Sequence, residues 1–106
     1  MAIITNALGK AVCRIKEIRE ECKFYKIGKT GMLLADRLNE PDYRDKYTSI
    51  EPVYETSSKE LCSYAESELI NAFIEDDKCD NVKEGEQSLG DNLADNAPYY
   101  VYVVKR

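Results

Sequence analysis

Apolar residues recur every three to four positions in two long stretches of the chain, and this spacing is typical of amphipathic helices. The first stretch predicts a helix over residues 6–22, and the second predicts a helix over residues 58–75. Ser57, followed three residues later by Glu60, matches a capping box and predicts the start of the second helix. A shorter apolar pattern over residues 31–40, closed by a proline, predicts a third helix.

Three segments have the composition of β-strands. Residues 23–28 end at a glycine, residues 48–55 contain Pro52, and residues 99–104 are rich in tyrosine and valine. Because proline cannot donate a hydrogen bond to a neighbouring strand, Pro52 predicts that the second segment lies at an edge of the sheet. Helices and strands in this order predict an α+β fold, with a small antiparallel three-stranded sheet flanked by helices.

An acidic segment separates the last predicted helix from the last predicted strand. Residues 83–97 contain two glycines and several acids, and their only apolar side chains larger than alanine are Leu89 and Leu93. Such a segment has little apolar surface to bury, so we predict a mobile loop.

The composition indicates one soluble domain that spans residues 1–106, with 43% hydrophobic and 33% charged residues. No segment approaches the roughly 20 apolar residues that cross a bilayer, and the N-terminal residues do not form a secretory signal. Four cysteines without CxxC spacing predict reduced thiols and a cytoplasmic protein. Cys13 and Cys62 fall on apolar helical faces, so both are predicted to be small core residues.

The chain contains no histidine, which excludes Ser-His-Asp and Cys-His sites and leaves Tyr, Lys, Asp and Glu for acid–base chemistry. Its net charge of −5 opposes strong attraction of the whole molecule to nucleic acid. Most lysines and arginines nevertheless lie in residues 9–46, whereas the charges of residues 75–96 are mostly acidic. The sequence therefore still allows a local basic face.

Glu66 occupies an unusual place on the predicted helix 58–75. On a helical wheel it lies between Phe73 and Ile70, at the margin of an apolar stripe that runs from Leu61. An ionised carboxylate next to a core is costly unless it is paired or bound to a metal ion. Three roles are open for Glu66: exposure to solvent, an ion pair with a lysine, or ligation of a metal.

Arg37 follows the glycine turn at Gly28 by nine residues, so it can project beside the end of the first strand. Its planar guanidinium suits the binding of phosphate, and the alternative is a solvated surface arginine. The turn itself, G-K-T-G at 28–31, lacks the first glycine of a nucleotide-binding P-loop, so no such loop is predicted.

The order of four short motifs resembles the GIY-YIG nuclease superfamily. The motifs are K-I-G-K-T at 26–30, R-L at 37–38, E-S-E-L-I at 66–70, and Asn81. Members of this superfamily hydrolyse phosphodiester bonds with one bound divalent metal ion. The resemblance therefore implies a GIY-YIG-like fold and a metal-dependent endonuclease acting on nucleic acid, on DNA in preference to RNA, with no membrane partner.

The resemblance also implies roles for individual residues. Glu66 would hold Mg²⁺ or Mn²⁺, and Arg37 would stabilise the charge that develops on the phosphate. Tyr25 or Lys26 would assist deprotonation of the attacking water, with a pKa depressed by neighbouring cations. The residues implied to bind the substrate are Lys29, Thr30 and Asn81. Glu66 and Arg37 are expected to line one shared pocket on the sheet.

The first motif of the superfamily, a strand with Gly and Tyr, is missing from residues 12–16, which read V-C-R-I-K and belong to a predicted helix. Two placements are open for the C-terminal strand. It either takes the place of the missing first strand or serves as the usual third strand. In the first case the catalytic tyrosine would be one of Tyr99, Tyr100 and Tyr102.

Three functions are consistent with these patterns. The first is a metal-dependent nuclease, and the second is a catalytically inactive GIY-YIG-like module that binds nucleic acid or a protein partner. The third is an interaction protein whose motifs match by chance. The sequence leaves the oligomeric state open.

Overall fold

The computed structural model describes residues 2–31, 34–39, 43–80 and 98–106. Helices and strands alternate along these ranges. In chain order the elements are α1 (Ala2–Glu21), β1 (Tyr25–Thr30), α2 (Leu34–Leu38), β2 (Ser49–Thr56), α3 (Lys59–Phe73) and β3 (Tyr99–Lys105). The strands form one antiparallel sheet, so the predicted α+β fold with a small three-stranded antiparallel sheet is confirmed.

The C-terminal strand β3 is the central strand of the sheet. It pairs with β1 on one side and with β2 on the other, both antiparallel. Its valines and tyrosines suit a strand that is covered on both faces. Pro52 lies in β2, which is an edge strand as predicted, and the pairing register shifts between Pro52 and Tyr54. Because the last strand is central, the sheet closes only through contacts between distant parts of the chain.

Side chains of β3 point alternately to the two faces of the sheet and join two separate cores. One core, the helical cluster, lies between the sheet, α1 and α3. Its buried members include Ile15, Ile18, Ile27, Leu69, Val101 and Val103. The other core, the tyrosine cluster, consists of Tyr43, Tyr47, Tyr102 and Val104, with Leu34, Leu38 and Ile50 packed against it.

Helix α3 begins one residue later than the predicted capping box. The N-cap is Ser58 rather than Ser57, and its Oγ accepts a hydrogen bond from the Leu61 amide at 3.2 Å. Thr56 ends β2 and accepts a hydrogen bond from the Ser58 amide at 3.2 Å. The side chain of Thr56 therefore holds the turn, and Ser58 is left to cap the helix.

The buried face of α3 is rotated relative to the face expected from the sequence. Its buried residues are Cys62, Ala65, Glu66, Leu69, Ile70 and Phe73, whereas Ala72 is exposed and Leu61 is half-buried. On the helical wheel this moves the centre of the face by about 50°, away from Leu61 and toward Phe73. Glu66 consequently lies inside the buried face and not at its margin.

The two cysteines predicted to be core residues differ. Cys62 is fully buried in the helical cluster, and burial raises the pKa of its thiol to about 11, which keeps it protonated. Cys13 is exposed on α1, so that prediction is wrong. The buried face of α1 runs through Ala11, Ile15 and Ile18, and position 13 is turned away from it.

Two acidic residues fasten the segment 76–80 beside β1. The Asp76 carboxylate accepts hydrogen bonds from the Arg19 guanidinium at 2.6 and 2.9 Å and from the Tyr25 hydroxyl at 2.6 Å. The Asp80 carboxylate accepts one from the Tyr47 hydroxyl at 2.8 Å and two from Arg106. Between them, the backbone of Tyr25 bonds to residues 78 and 80. The beginning of this edge strand is thereby covered.

The predicted mobile loop, residues 83–97, and the predicted substrate-binding residue Asn81 lie outside the described residues. Within the described ranges, no helix is both long and apolar enough to cross a membrane.

The burial of Leu69 gives a direct test of the core. Its side chain is 1% exposed at the centre of the helical cluster, so Leu69→Ala should lower the free energy of unfolding by about 2–5 kcal/mol. Leu61→Ala, the same change at a half-buried position of α3, should cost less. Urea denaturation of both variants measures the difference, and equal costs would show that the buried face is assigned incorrectly.

The Asp76 network predicts a pH dependence of stability. Its hydrogen bonds with Arg19, followed by those with Tyr25 and the Lys78 amide, hold the pKa of the Asp76 carboxyl well below its usual range. A carboxyl group with a lowered folded-state pKa stabilises the fold above its unfolded pKa of about 4, and this contribution is lost as the pH falls toward the folded-state value.

Asp76→Asn should therefore lower the urea midpoint at pH 7, and its difference from wild type should shrink as the pH falls below about 4. Asp77→Asn, a change at an exposed neighbour, should follow the wild type across this range. A deficit of Asp76→Asn that is the same at pH 7 and pH 3 would contradict the electrostatic assignment.

Candidate functional site

Gly28 and Tyr102 face each other across β1 and β3, and the tyrosine ring lies directly over the glycine. A Cβ atom at position 28 would come within 2.6 Å of the ring carbon that carries the hydroxyl group, a distance that real Cβ atoms essentially never show. Glycine is required here because it leaves room for the ring. The contact holds the Tyr102 phenol against β1, on the face of the tyrosine cluster.

The Tyr102 phenol is the centre of a small hydrogen-bond network. The Arg37 Nε donates to its oxygen at 3.0 Å, and its hydroxyl shares a hydrogen bond with the Tyr43 hydroxyl at 2.9 Å. The rings of Tyr43 and Tyr102 meet edge to face, with centroids 6.1 Å apart. Arg37 lies in the last turn of α2, so the helix brings its guanidinium to the sheet.

Two positive charges converge on the ring of Tyr43. The central carbon of the Arg37 guanidinium lies 4.5 Å from the ring centroid, and the Lys26 ammonium lies 5.8 Å from it. Both distances fall within the range of cation–π interactions, about 6 Å. The two cationic side chains are half-buried and so remain partly open to solvent. We call Lys26, Arg37, Tyr43 and Tyr102 the Tyr43 site.

Burial decides the protonation of the tyrosine in this network. Burial raises the pKa of the Tyr102 hydroxyl well above its usual value, the neighbouring Tyr43 adds to the increase, and Arg37 opposes it. Tyr102 is therefore a protonated hydrogen-bonding group at neutral pH. It is not the tyrosine with a depressed pKa that the sequence led us to expect for water activation.

A second polar group lies on the opposite face of the sheet. Glu66 is buried on α3, and its Oε1 lies 3.4 Å from the Lys29 ammonium. Only 2% of the Lys29 side chain and 6% of the Glu66 side chain are exposed. The ammonium also donates a hydrogen bond to Ser63 Oγ at 3.2 Å. Of the three roles open for Glu66, the structure shows the ion pair with a lysine.

Burial changes the pKa of the Glu66 carboxyl. Desolvation raises its pKa above the usual value, and the positive charges of Lys29 and Lys26 partly oppose that increase. Among the described residues, Glu66 Oε1 has no hydrogen-bond partner. Lys26 thus lies close to the Tyr43 ring on one face of β1, and its positive charge also tends to lower the pKa of Glu66 on the other face.

The structure does not bring Glu66 and Arg37 into one pocket on a single face. Arg37 bonds to Tyr102 in the tyrosine cluster, whereas Glu66 lies on the buried face of α3, which packs into the helical cluster. The expected shared pocket is therefore wrong. The physical reason is the alternation of β1, because Gly28 faces the tyrosine cluster and Lys29, the next residue, turns to the other face.

Tyr25, predicted as a catalytic residue, lies in the helical cluster. Its ring is fully buried and packs edge to face on Phe73, and its hydroxyl donates to Asp76. Burial and that hydrogen bond raise the pKa of the Tyr25 hydroxyl well above its usual range. The residue therefore fastens β1 to the segment after α3.

The predicted substrate-binding residues of the glycine turn are closed to solvent. Lys29 is 8% exposed and Thr30 is 6% exposed. In this arrangement neither presents its side chain at the surface, because β1 continues through both positions where the sequence predicted a turn after Gly28.

The residues around Glu66 do not fit the implied divalent ion. Glu66 Oε1, which accepts no hydrogen bond from the described residues, has the right chemistry, since Mg²⁺ takes carboxylate oxygens. The Lys29 ammonium, however, already supplies a positive charge 3.4 Å from that atom. No group of three or more acidic or cysteine side chains that could hold a metal ion occurs within the described part of the chain. A divalent ion at Glu66 would therefore have to displace Lys29.

Sequence reasoning missed Tyr43 as a site residue and left Tyr102 as one of three alternatives. Tyr43 belongs to residues 42–47, which the sequence indicates to be a charged, tyrosine-bearing connection between elements. The strand register singles out Tyr102 among the C-terminal tyrosines, since it lies opposite the glycine of K-I-G-K-T, and only the structure shows that register.

Comparisons with known proteins found no matching family model, no matching curated protein and no matching solved structure.

The contact between Gly28 and Tyr102 predicts a stability effect. Gly28→Ala should lower the free energy of unfolding by about 1–3 kcal/mol, because the new methyl group overpacks a buried aromatic ring. Gly9→Ala is a matched control, since nothing lies within 4 Å of a Cβ there and alanine favours a helix by about 1 kcal/mol. Thermal denaturation should show opposite shifts, and a neutral Gly28→Ala would contradict the packing described here.

Proposed function

We propose that this protein binds the phosphate backbone of nucleic acid at the Tyr43 site, as a GIY-YIG-like module without metal-dependent cleavage. The observation that carries the proposal is the convergence of Lys26 and Arg37 on one tyrosine ring. Both basic side chains are partly open to solvent beside this ring, and a local concentration of positive charge attracts an anion. A phosphate group has the charge for this role, and the Arg37 guanidinium matches its geometry.

The Tyr43 ring is only 4% exposed, so it positions the two cations, and the groups left to contact a phosphate are Lys26 and Arg37. The order of the motifs K-I-G-K-T and R-L supports the same assignment through its resemblance to GIY-YIG nucleases. With a net charge of −5, the whole molecule opposes binding. We therefore expect modest affinity that falls steeply with added salt.

Three observations favour binding over cleavage. Glu66 and Arg37 lie on opposite faces of the sheet. The Glu66 carboxylate is already paired with a buried lysine. Tyr25 and Tyr102 have raised pKa values, so neither is suited to accept a proton from water.

Metal-dependent cleavage of DNA is the second candidate function. It is favoured by the position of β3, which pairs with the K-I-G-K-T strand and brings Tyr102 to Arg37, as expected if β3 takes the place of the missing first strand. It is also favoured by Glu66 Oε1, a buried carboxylate oxygen that accepts no hydrogen bond from the described residues. A divalent ion at Glu66 would first have to displace the Lys29 ammonium.

The binding proposal is tested with labelled single-stranded DNA, duplex DNA and RNA by fluorescence anisotropy over a range of salt concentrations, in the presence of chelator. Lys26→Gln and Arg37→Gln should each weaken binding and reduce the salt dependence by about one counterion. Arg37→Lys keeps the charge but loses the planar fork, so it should bind more weakly than wild type.

Lys16→Gln is the matched control, because it removes one exposed positive charge from α1, away from the Tyr43 site. If Lys16→Gln weakens binding as much as Lys26→Gln, the binding depends only on overall charge and the site is wrong. A wild-type protein that binds none of the nucleic acids at low salt would overturn the proposal.

The two candidate functions are separated by incubating plasmid, single-stranded DNA and RNA with Mg²⁺ or Mn²⁺ and, in parallel, with chelator. The binding module leaves all three substrates intact. Metal-dependent cleavage that Glu66→Gln abolishes would replace the first candidate with the second.

A further inference from the structure

Lys29 and Glu66 form an ion pair that is closed to solvent between β1 and α3. The ammonium lies 3.4 Å from Glu66 Oε1, and both side chains are more than nine-tenths buried. Ser63 stands three residues before Glu66, on the same side of α3, and its Oγ accepts a hydrogen bond from the Lys29 ammonium at 3.2 Å. The ammonium is thus held by two side chains of one helix.

A buried carboxylate requires positive charge nearby, and either an ammonium or a metal ion can supply it. Both cannot share one carboxylate oxygen without strong mutual repulsion, because the screening by water is absent inside the protein. The backbone also holds Lys29 in its position beside Glu66. It follows Gly28, whose backbone is packed against the Tyr102 ring, so its point of attachment is fixed.

We propose that the Lys29 ammonium is the permanent cation of this site. It occupies the place where the resemblance to GIY-YIG nucleases puts a divalent metal ion, so the protein balances the charge of Glu66 without binding a metal ion. The charge balance is then independent of the metal concentration, and the same ion pair ties β1 to α3. This inference does not depend on whether the Tyr43 site binds nucleic acid.

The first test uses the wild-type protein, so it does not require any variant to fold. Mn²⁺ is added in the NMR experiment, because this paramagnetic ion broadens the signals of nuclei near its binding site. No selective broadening of the amide signals of residues 62–70 is expected. Selective broadening there, absent in Glu66→Gln, would overturn the proposal because a metal ion would then displace Lys29.

The second test asks whether removing the ammonium opens a metal site. Lys29→Met keeps an apolar side chain of similar length but leaves Glu66 without its partner, so its Tm in chelator should fall below that of wild type. Addition of Mn²⁺ should then raise the Tm of this variant in a concentration-dependent way, while wild type does not respond.

Two further variants complete this test. The double variant Lys29→Met/Glu66→Gln should lose the Mn²⁺ response and melt above Lys29→Met in chelator, because no unpaired buried charge remains. Lys16→Met, the same change at an exposed lysine of α1, should show no response. A Lys29→Met protein that ignores Mn²⁺ would overturn the proposal, and so would one that stays unfolded with Mn²⁺ present while the double variant folds.

Discussion

The placement of the Tyr102 ring over Gly28 is the contact on which the rest of this structure depends. It joins the central strand β3 to the edge strand β1 at a cross-strand pair in which position 28 has no room for a side chain. The ring brings its hydroxyl to Arg37 and Tyr43, and so organises the tyrosine cluster. The same contact fixes the backbone from which Lys29 turns to the other face. One glycine thereby positions polar groups on both sides of the sheet.

Charged side chains are arranged differently on the two faces of β1. On the helical side, a carboxylate and an ammonium are buried together, and each makes the burial of the other tolerable. On the tyrosine side, two positive charges share one aromatic ring and remain partly open to solvent. In the first arrangement the two opposite charges balance each other, which suits a structural role. The second places two basic side chains together near the surface, which is an arrangement expected of a site that binds an anion.

The fold was predictable because its signals are local. Helical spacing of apolar residues, the proline of β2 and the tyrosine- and valine-rich C-terminus gave the elements and the α+β class. Their ends were less certain, because caps depend on turns. At the start of α3, Thr56 holds the preceding turn, and the cap falls at Ser58. Cys13 was assigned to the core for a related reason, since a helical wheel gives the order of residues around a helix but not the direction of the core.

The sequence by itself determined which residues could carry chemistry. They are Glu66 beside an apolar helical face, an arginine after a glycine turn, and lysines near the end of the first strand. Only the tertiary structure decided how they are combined. The strand alternation at Gly28 and Lys29 sends neighbouring side chains to opposite faces, and the rotation of α3 carries Glu66 into the core to meet Lys29. Residues as distant as 37, 43 and 102 meet only because β3, the last strand of the chain, is central in the sheet. Such pairings depend on packing between remote segments, and no local pattern in the sequence encodes them.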